Sequence, residues 1–222
     1  MTLNAFIFDL DGTLVDTERL WVDAMCAHLA DRGVRCPKAE MTEIVYGRSW
    51  TDIYRTVTGR FPVLAGTPSR VMALELHDYY VRLRAQVGDI VIPSSAALLK
   101  RLAADYPVII VSGSPHADVE DAVRLLGAES HVRFVLGAED YPAGKPSPSG
   151  FLAGAERLGV PPETCLVFED SWAGVTAAKA AGMWCVALDR SGAHQQNLAA
   201  ADWVLADLAE FSAEAFTRRA AP

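Results

Sequence analysis

Two aspartates, separated by one residue, follow the first apolar run of the chain. The run Ala5–Phe8 leads directly into Asp9, Leu10 and Asp11. If the backbone stays extended there, the side chains of Asp9 and Asp11 point to the same side and share one site. A carboxylate can attack a phosphoryl group and form an aspartyl-phosphate that water then hydrolyses. We therefore interpret Asp9 as a candidate nucleophile and Asp11 as a candidate general acid and base.

A second pair of acids, Glu169 and Asp170, follows the apolar run Leu166–Phe168. Carboxylates crowded into one site repel each other unless a cation lies between them, and Mg²⁺ prefers oxygen ligands and bridges to phosphates. An alternative interpretation is that both acids only complement the positive end of a helix over Trp172–Ala181. The predicted Mg²⁺ ligands are Asp9, Asp11, Glu169 and Asp170.

Donors for a phosphate group follow two further apolar runs. Ser112-Gly113-Ser114 comes directly after Val108–Val111, and Lys145 follows another run after a short loop. A hydroxyl, backbone amides and a fixed positive charge stabilise the oxygens of a transferred phosphoryl group. Alone, Ser112 would be read as a turn residue and Lys145 as a surface lysine, so the inference depends on the joint pattern. The predicted phosphate-binding residues are Thr13, Ser112, Gly113 and Lys145.

Six short apolar runs predict the strands that position these residues. They are Ala5–Phe8, Val108–Val111, Phe134–Leu136, Leu166–Phe168, Trp184–Leu188 and Trp203–Leu205. Amphipathic stretches such as His116–Leu126 lie between most of them. This alternation predicts an α/β fold with a Rossmann-like, doubly wound parallel sheet. Ligands bind beyond the carboxyl ends of such strands, so all the candidate residues should line one edge.

The alternation is interrupted once, between about Val15 and Val87. That segment contains no strand run but four helical stretches, which are Glu18–Asp31, Lys38–Val45, Trp50–Gly59 and Ser69–Val87. It predicts an inserted helical-bundle cap domain at residues 15–88, with the sheet core formed by residues 1–14 and 89–222. Gly88 and Asp89 are plausible hinge residues, and a lid over the active site is expected.

The motifs together resemble one family. Asp9-x-Asp11-Gly12-Thr13, Ser112 after a strand, Lys145-Pro146 and Glu169-Asp170 resemble, in this order, the haloacid dehalogenase superfamily in its phosphatase and beta-phosphoglucomutase-like branch. The helical insertion is similar to the cap of that branch.

The resemblance implies a role for each matching position. It implies that Asp9 is the nucleophile and Asp11 the acid and base, while Ser112 and Lys145 bind phosphate. It implies further that Mg²⁺ is held by Asp9, Asp170, the Asp11 carbonyl and Glu169. The implied activity is Mg²⁺-dependent hydrolysis of a small phosphorylated metabolite such as a sugar phosphate.

Departures from the pattern select among activities within the family. True dehalogenases and phosphonate-cleaving members lack the second aspartate, so Asp11 argues against both. Mutase members carry a histidine soon after the first motif and an arginine in the cap loop, where this chain has Trp21 and Trp50. Arg48 lies close enough in sequence to replace that arginine, so a beta-phosphoglucomutase-type mutase stays the alternative. The candidate specificity residues are Trp21, Arg48, Trp50 and His116, although a tryptophan in a cap more often packs than contacts substrate.

Two functions without turnover are alternatives of another class. A receiver-type signalling module combines acids, Mg²⁺ and a Lys-Pro pair, but such a module is about half as long and carries its acceptor aspartate on a middle strand. A degenerate, purely binding member of the family is disfavoured because every chemical position is occupied.

Charge and composition limit the partners and the compartment. The formal net charge is −8, which argues against nucleic acid because a phosphate-backbone binder needs a basic face. The aliphatic runs are far shorter than the roughly 20 residues of a membrane helix. The four cysteines show no C-x-x-C spacing and no secretion signal is visible, so reduced thiols and a cytoplasmic location are expected. The sequence leaves the oligomeric state open.

Overall fold

The computed structural model describes residues 2–46, 48, 50–86, 90–190 and 197–219. The chain folds into two compact units. The sheet unit contains the residues up to Val15 and from Val91 onward, and the helical unit is Asp16–Ile90. Val15, which the sequence pattern assigns to the helical segment, belongs to the sheet unit because it forms β-bridges with Asp11 and Val91. Ile90, assigned to the sheet core from the sequence, belongs to the helical unit.

Six parallel strands form the sheet. They are β1 (Ala5–Phe8), β2 (Val108–Val111), β3 (Val135–Leu136), β4 (Cys165–Glu169), β5 (Trp184–Leu188) and β6 (Trp203–Leu205). Their order across the sheet is β3-β2-β1-β4-β5-β6, and each neighbouring pair is parallel. The Rossmann-like, doubly wound parallel sheet is therefore confirmed. Phe134 lies before β3, and β4 extends from Cys165 to include Glu169.

The strand order decides where a ligand can bind. The chain runs from β1 outward to β2 and β3, then returns to the other side of β1 to form β4. Phe8 is paired with Ile110 on one side and with Phe168 on the other. The residues that follow β1, β2 and β4 therefore begin at the same level of the sheet edge, where the strand order reverses.

The described part of the chain contains the following α-helices: α1 (Glu18–Ala30), α2 (Lys38–Val45), α3 (Trp50–Arg60), α4 (Ser69–Gln86), α5 (Pro93–Leu102), α6 (His116–Leu125), α7 (Ser149–Leu158), α8 (Trp172–Ala180) and α9 (Ala213–Arg219). None of the described helices is long and apolar enough to cross a membrane.

Both faces of the sheet are covered, because successive strand residues point to opposite faces. On one face, Ile7 and Ile109 share a buried cluster with Phe151 of α7. On the other face, the ring of Phe168 makes an edge contact with Phe211, with 4.9 Å between the ring centroids. This double coverage explains why the strands are almost entirely apolar.

The helical unit has a core of its own. Leu29 of α1, Met41 of α2, Val57 of α3 and Met72 of α4 belong to one buried cluster. The four predicted helical stretches are present as α1 to α4, and their ends differ from the prediction by about a residue where both are described. Val87, Gly88 and Asp89 lie outside the described residues. The role of this unit as a cap over the active site stays a prediction.

A matched pair of valines in adjacent strands tests the sheet core. Val186 in β5 is fully buried, whereas Val204 in β6 is 42% exposed. Val186→Ala should lower the free energy of unfolding by about 2 kcal/mol or more, because it removes two buried methyl groups and leaves a cavity. Val204→Ala should cost less than about half of that. Equal losses in urea unfolding would contradict the described burial of β5.

Candidate active site

The loop after β1 turns sharply at Gly12. The amide of Asp9 still donates to the carbonyl of Phe168, at 2.9 Å, which continues the pairing of β1 with β4. Gly12 then adopts φ +88°, a conformation that L side chains rarely adopt. A Cβ at Gly12 would lie 2.1 Å from Oδ2 of Asp170. Glycine is thus required both for the turn and for the approach of Asp170.

Three carboxylates form an oxygen-rich cluster at this edge. One oxygen each from Asp9, Glu169 and Asp170 lie within 4.8 Å of one another. Asp9 is only 6% exposed, and Oδ1 of Asp170 accepts a hydrogen bond of 3.2 Å from the hydroxyl of Thr13. Hard oxygen donors in such a cluster fit Mg²⁺. Thr13 contacts a member of this cluster.

Lys145 lies between two of these acids. Its ammonium donates to Oδ1 of Asp9, to Oε1 of Glu169 at 2.6 Å, and to the carbonyl of Val111 at 3.4 Å. Burial alone would lower the pKa of Lys145, but the charges of Asp9 and Glu169 outweigh burial and raise it. Lys145 therefore stays a cation at the end of β1, in reach of any group that Asp9 attacks.

Asp9 is held in an environment that disfavours its charge. Burial raises the pKa of Asp9 to about 8, with Lys145 acting in the opposite direction and Glu169 and Asp11 adding to the rise. A cation bound beside Asp9 would favour its charged form, which is the form that can act as a nucleophile.

One carboxylate oxygen of Glu169 accepts three hydrogen bonds from the chain that follows it. Its Oε2 accepts from the amides of Asp170 and Ser171 and from the Ser171 hydroxyl, each at 2.9 Å. A Cβ at Gly174 would lie 1.7 Å from Oε1 of Glu169. The alternative interpretation of Glu169 as an acid at the start of a helix therefore has structural support beside its contact with Lys145. This environment favours Asp9 and Asp170 over Glu169 as the side chains that hold a cation.

Two serines after β2 contact the second aspartate of the first motif. The hydroxyls of Ser112 and Ser114 donate to Oδ2 of Asp11 at 3.1 and 2.7 Å. The amide of Ser114 donates to the Ser112 hydroxyl oxygen at 3.0 Å. The Tyr141 hydroxyl donates to the Ser112 carbonyl at 2.7 Å. Gly113, between the serines, is exposed, and a side chain added there would meet open space.

His116 is the first residue of α6 and forms hydrogen bonds with two acidic residues of the segment after β3. Its amide donates to both carboxylate oxygens of Glu139 at 3.1 Å, and its Nδ1 lies 2.5 Å from Oδ2 of Asp140. The hydrogen bond to Asp140 raises the pKa of His116, while burial acts against this rise. A specificity role for His116 stays a prediction, since these contacts already explain its position.

The other three candidate specificity residues lie in the helical unit. Trp21 stacks on Tyr80 with 4.4 Å between the ring centroids, and the indole nitrogen of Trp50 donates to the Ser69 hydroxyl at 2.9 Å. Both tryptophans are partly buried against the helical core, which supports the packing interpretation. Arg48 is exposed. A substrate role for these three residues stays a prediction.

Some contributors were not identified from the sequence. The Ser114 hydroxyl could have been found, because a Ser-x-Ser spacing directly after a strand places both hydroxyls on one side, as for the two aspartates. Tyr141 and Gly174 had no such signal. Tyr141 reaches Ser112 across 29 positions of the chain, and the requirement for glycine at 174 depends on where the Glu169 side chain lies.

Comparison with known proteins identifies relatives that match most of the chain. A family model described as haloacid dehalogenase-like hydrolase matches residues 3–182. The chain is 33% identical over 217 residues to "Probable pseudouridine-5'-phosphatase" of Drosophila melanogaster, covering 95% of this chain and 92% of that protein. It is 32% identical over 240 residues to beta-phosphoglucomutase of Mycobacterium tuberculosis, covering 94% of this chain and 91% of that protein.

A solved structure supports the same assignment. The crystal structure of beta-phosphoglucomutase from Clostridium difficile matches with a TM-score of 0.75 and 25% sequence identity. The match covers 98% of this chain and 97% of that chain.

Gly174→Ala tests how closely the Glu169 carboxylate approaches the backbone at Gly174. The added methyl group overlaps the Glu169 carboxylate, so we expect a loss of unfolding free energy of about 3 kcal/mol. Gly59→Ala is the control, because Gly59 is an exposed helical glycine with nothing within 4 Å of its added Cβ. That control should raise stability by about 0.5–1 kcal/mol. A Gly174→Ala protein as stable as wild type in urea unfolding would refute the overlap.

The contact of His116 with Asp140 should make stability depend on pH. Because the folded-state pKa of His116 is raised, its contribution is fully present below the unfolded pKa of about 6.5 and is lost as the pH rises through the folded value. His116→Gln should therefore lower Tm more at about pH 6 than at about pH 9. Equal losses of Tm at both pH values would show that the contact is not formed by a charged imidazole.

Proposed function

This chain belongs to the haloacid dehalogenase-like hydrolase family, and on that premise we propose that it hydrolyses small phosphomonoesters through an aspartyl-phosphate on Asp9. The observation that carries the proposal is the position of Asp9. It is a buried carboxylate at the point where the strand order reverses, in contact with Lys145 and adjacent to Glu169 and Asp170. The Asp9 carboxylate is thus a candidate nucleophile that contacts a positive charge and belongs to the oxygen-rich cluster.

The first step transfers the phosphoryl group to Asp9. A carboxylate oxygen of Asp9 forms a bond to phosphorus as the bond from phosphorus to the ester oxygen breaks. Asp11 gives its proton to that leaving oxygen, which departs as an alcohol. In this proposal, Lys145 and the Ser112 hydroxyl stabilise the charge on the phosphoryl oxygens.

The second step returns the enzyme to its starting state. Asp11, now charged, accepts a proton from a water molecule while the water oxygen forms a bond to phosphorus. The bond between phosphorus and the Asp9 oxygen breaks, which releases inorganic phosphate and the free carboxylate. One residue therefore acts as acid in the first step and as base in the second.

We assign Mg²⁺ to the side chains of Asp9 and Asp170 and to the Asp11 carbonyl, with Glu169 as an adjacent acid. The cluster of three carboxylates within 4.8 Å supports this assignment. When bound, the ion offsets the negative charge of the phosphoryl group, so that a carboxylate can approach it.

The substrate class follows from the relatives and from the chain itself. One relative is named for pseudouridine 5'-phosphate and the other for a phosphorylated glucose, so we propose a sugar-containing phosphomonoester. Hydrolysis is favoured over mutase chemistry because Trp21 and Trp50 stand where mutase members have a histidine and an arginine.

The four described cysteines are free, which supports a reducing, cytoplasmic site of action.

The proposal is tested by phosphate release from a panel of sugar phosphates, nucleotides and p-nitrophenyl phosphate. Activity should require Mg²⁺ and be lost in EDTA. Asp9→Asn should lower kcat by at least about 10³-fold, because it removes the nucleophile at nearly constant volume. Asp105→Asn, at an exposed position of the same unit, should leave kcat unchanged.

Three outcomes would contradict the proposal. Undiminished activity of Asp9→Asn would exclude the aspartyl-phosphate. An isomerised sugar phosphate without phosphate release would indicate a mutase. A stable phosphoprotein without release would indicate a signalling module.

A further inference from the structure

We propose that Ser114 is a positioning residue for Asp11, holding this carboxylate in place for proton transfer while Ser112 binds the phosphoryl group. The inference rests on the proposed function, because it concerns the residue that gives and takes the proton. It assigns to the Ser114 side chain a task that neither the motif pattern nor the relatives identify.

Two serine hydroxyls donate hydrogen bonds to the same carboxylate oxygen of Asp11. Ser112 and Ser114 both donate to Oδ2, and the Ser114 bond, at 2.7 Å, is the shorter by 0.4 Å (3.1 − 2.7). Hydroxyl donors to a charged carboxylate form short, strong hydrogen bonds.

The single hydroxyl hydrogen of each serine implies different roles for Ser112 and Ser114. A serine hydroxyl has one hydrogen and donates one hydrogen bond at a time. If Ser112 donates to a phosphoryl oxygen, as its place in the motif implies, it must release Oδ2 of Asp11. Ser114 is then the serine that still restrains Asp11 during the reaction.

The backbone of Ser114 is fixed well enough for this task. Its amide donates to the Ser112 hydroxyl oxygen at 3.0 Å, and its carbonyl accepts from the amide of Ala138 at 2.9 Å. The neighbouring Ser112 is held at its amide by the carbonyl of Leu136, at 2.9 Å, and at its carbonyl by Tyr141, at 2.7 Å. The serine loop is thus anchored to the segment after β3, and a side chain on such a loop positions its partner accurately.

The basicity of the leaving group gives a specific signature. A sugar alkoxide is a poor leaving group and needs a proton from Asp11 as the ester bond breaks. p-Nitrophenolate is a weak base that departs without one. A misplaced Asp11 therefore slows phosphoryl transfer from a sugar phosphate much more than from p-nitrophenyl phosphate.

The test compares kcat/KM of wild type and Ser114→Ala on these two substrates. The sugar phosphate is glucose 6-phosphate, or the sugar phosphate that wild type hydrolyses fastest. The ratio kcat/KM is chosen because it reports the steps up to departure of the alcohol, whereas kcat also includes hydrolysis of the aspartyl-phosphate. We expect a loss of at least about tenfold on the sugar phosphate and of about threefold or less on p-nitrophenyl phosphate.

Two further variants make the comparison specific. Ser114→Thr keeps a hydroxyl and should recover most of the activity on the sugar phosphate. Ser112→Ala removes a donor to the phosphoryl group itself and should lower kcat/KM on both substrates to a similar extent. If Ser114→Ala does not fold, as judged by its thermal unfolding, Ser114→Cys gives the same test, because its thiol is only a weak donor.

The outcomes separate this inference from the proposed function. Equal losses on both substrates, no loss on the sugar phosphate, or a Ser114→Thr protein as impaired as Ser114→Ala would overturn the role of Ser114 while leaving a phosphohydrolase. A wild-type protein that releases phosphate from neither substrate would refute the proposed function itself.

Discussion

The pairing of the Lys145 ammonium group with the buried carboxylates of Asp9 and Glu169 is the interaction on which the rest of the site depends. A buried charge is costly unless it is paired, and removal of one partner leaves the others uncompensated. Glu169 is in turn held by the amides of Asp170 and Ser171. The residues that would perform the chemistry therefore compensate one another's charges.

The sheet makes this arrangement possible. Because β4 returns to the side of β1 opposite β2, Asp9 has the serine loop on one side and the second acidic pair on the other. Two glycines then allow the acids to approach the backbone closely, Gly12 beside Asp170 and Gly174 beside Glu169. Because glycine has no side chain, several acids converge within a few ångströms at these two points. The resulting cluster of oxygen atoms is suited to a cation.

The sequence predicted the frame of the molecule more completely than the contacts within it. The strands from β1 to β5 were identified because almost all of their residues are buried on both faces, which makes their sequences continuously apolar. The edge strand β6 was identified from its apolar residues, although Val204 is exposed there. The spacing of Asp9 and Asp11 and the order of the motifs predicted which residues would follow those strands. The sequence could not decide whether Glu169 binds a metal or caps a helix, since that depends on the direction of its side chain. Tyr141 was missed because its contact with Ser112 joins distant parts of the chain.

The stereochemical course at phosphorus tests the central claim, that a carboxylate of the enzyme attacks the phosphoryl group. The measurement uses a phosphomonoester made chiral with oxygen isotopes and determines the configuration of the phosphoryl group after transfer to an acceptor alcohol. Two successive in-line displacements, first by Asp9 and then by the acceptor, predict overall retention of configuration. Inversion would show a single direct displacement and would contradict the account.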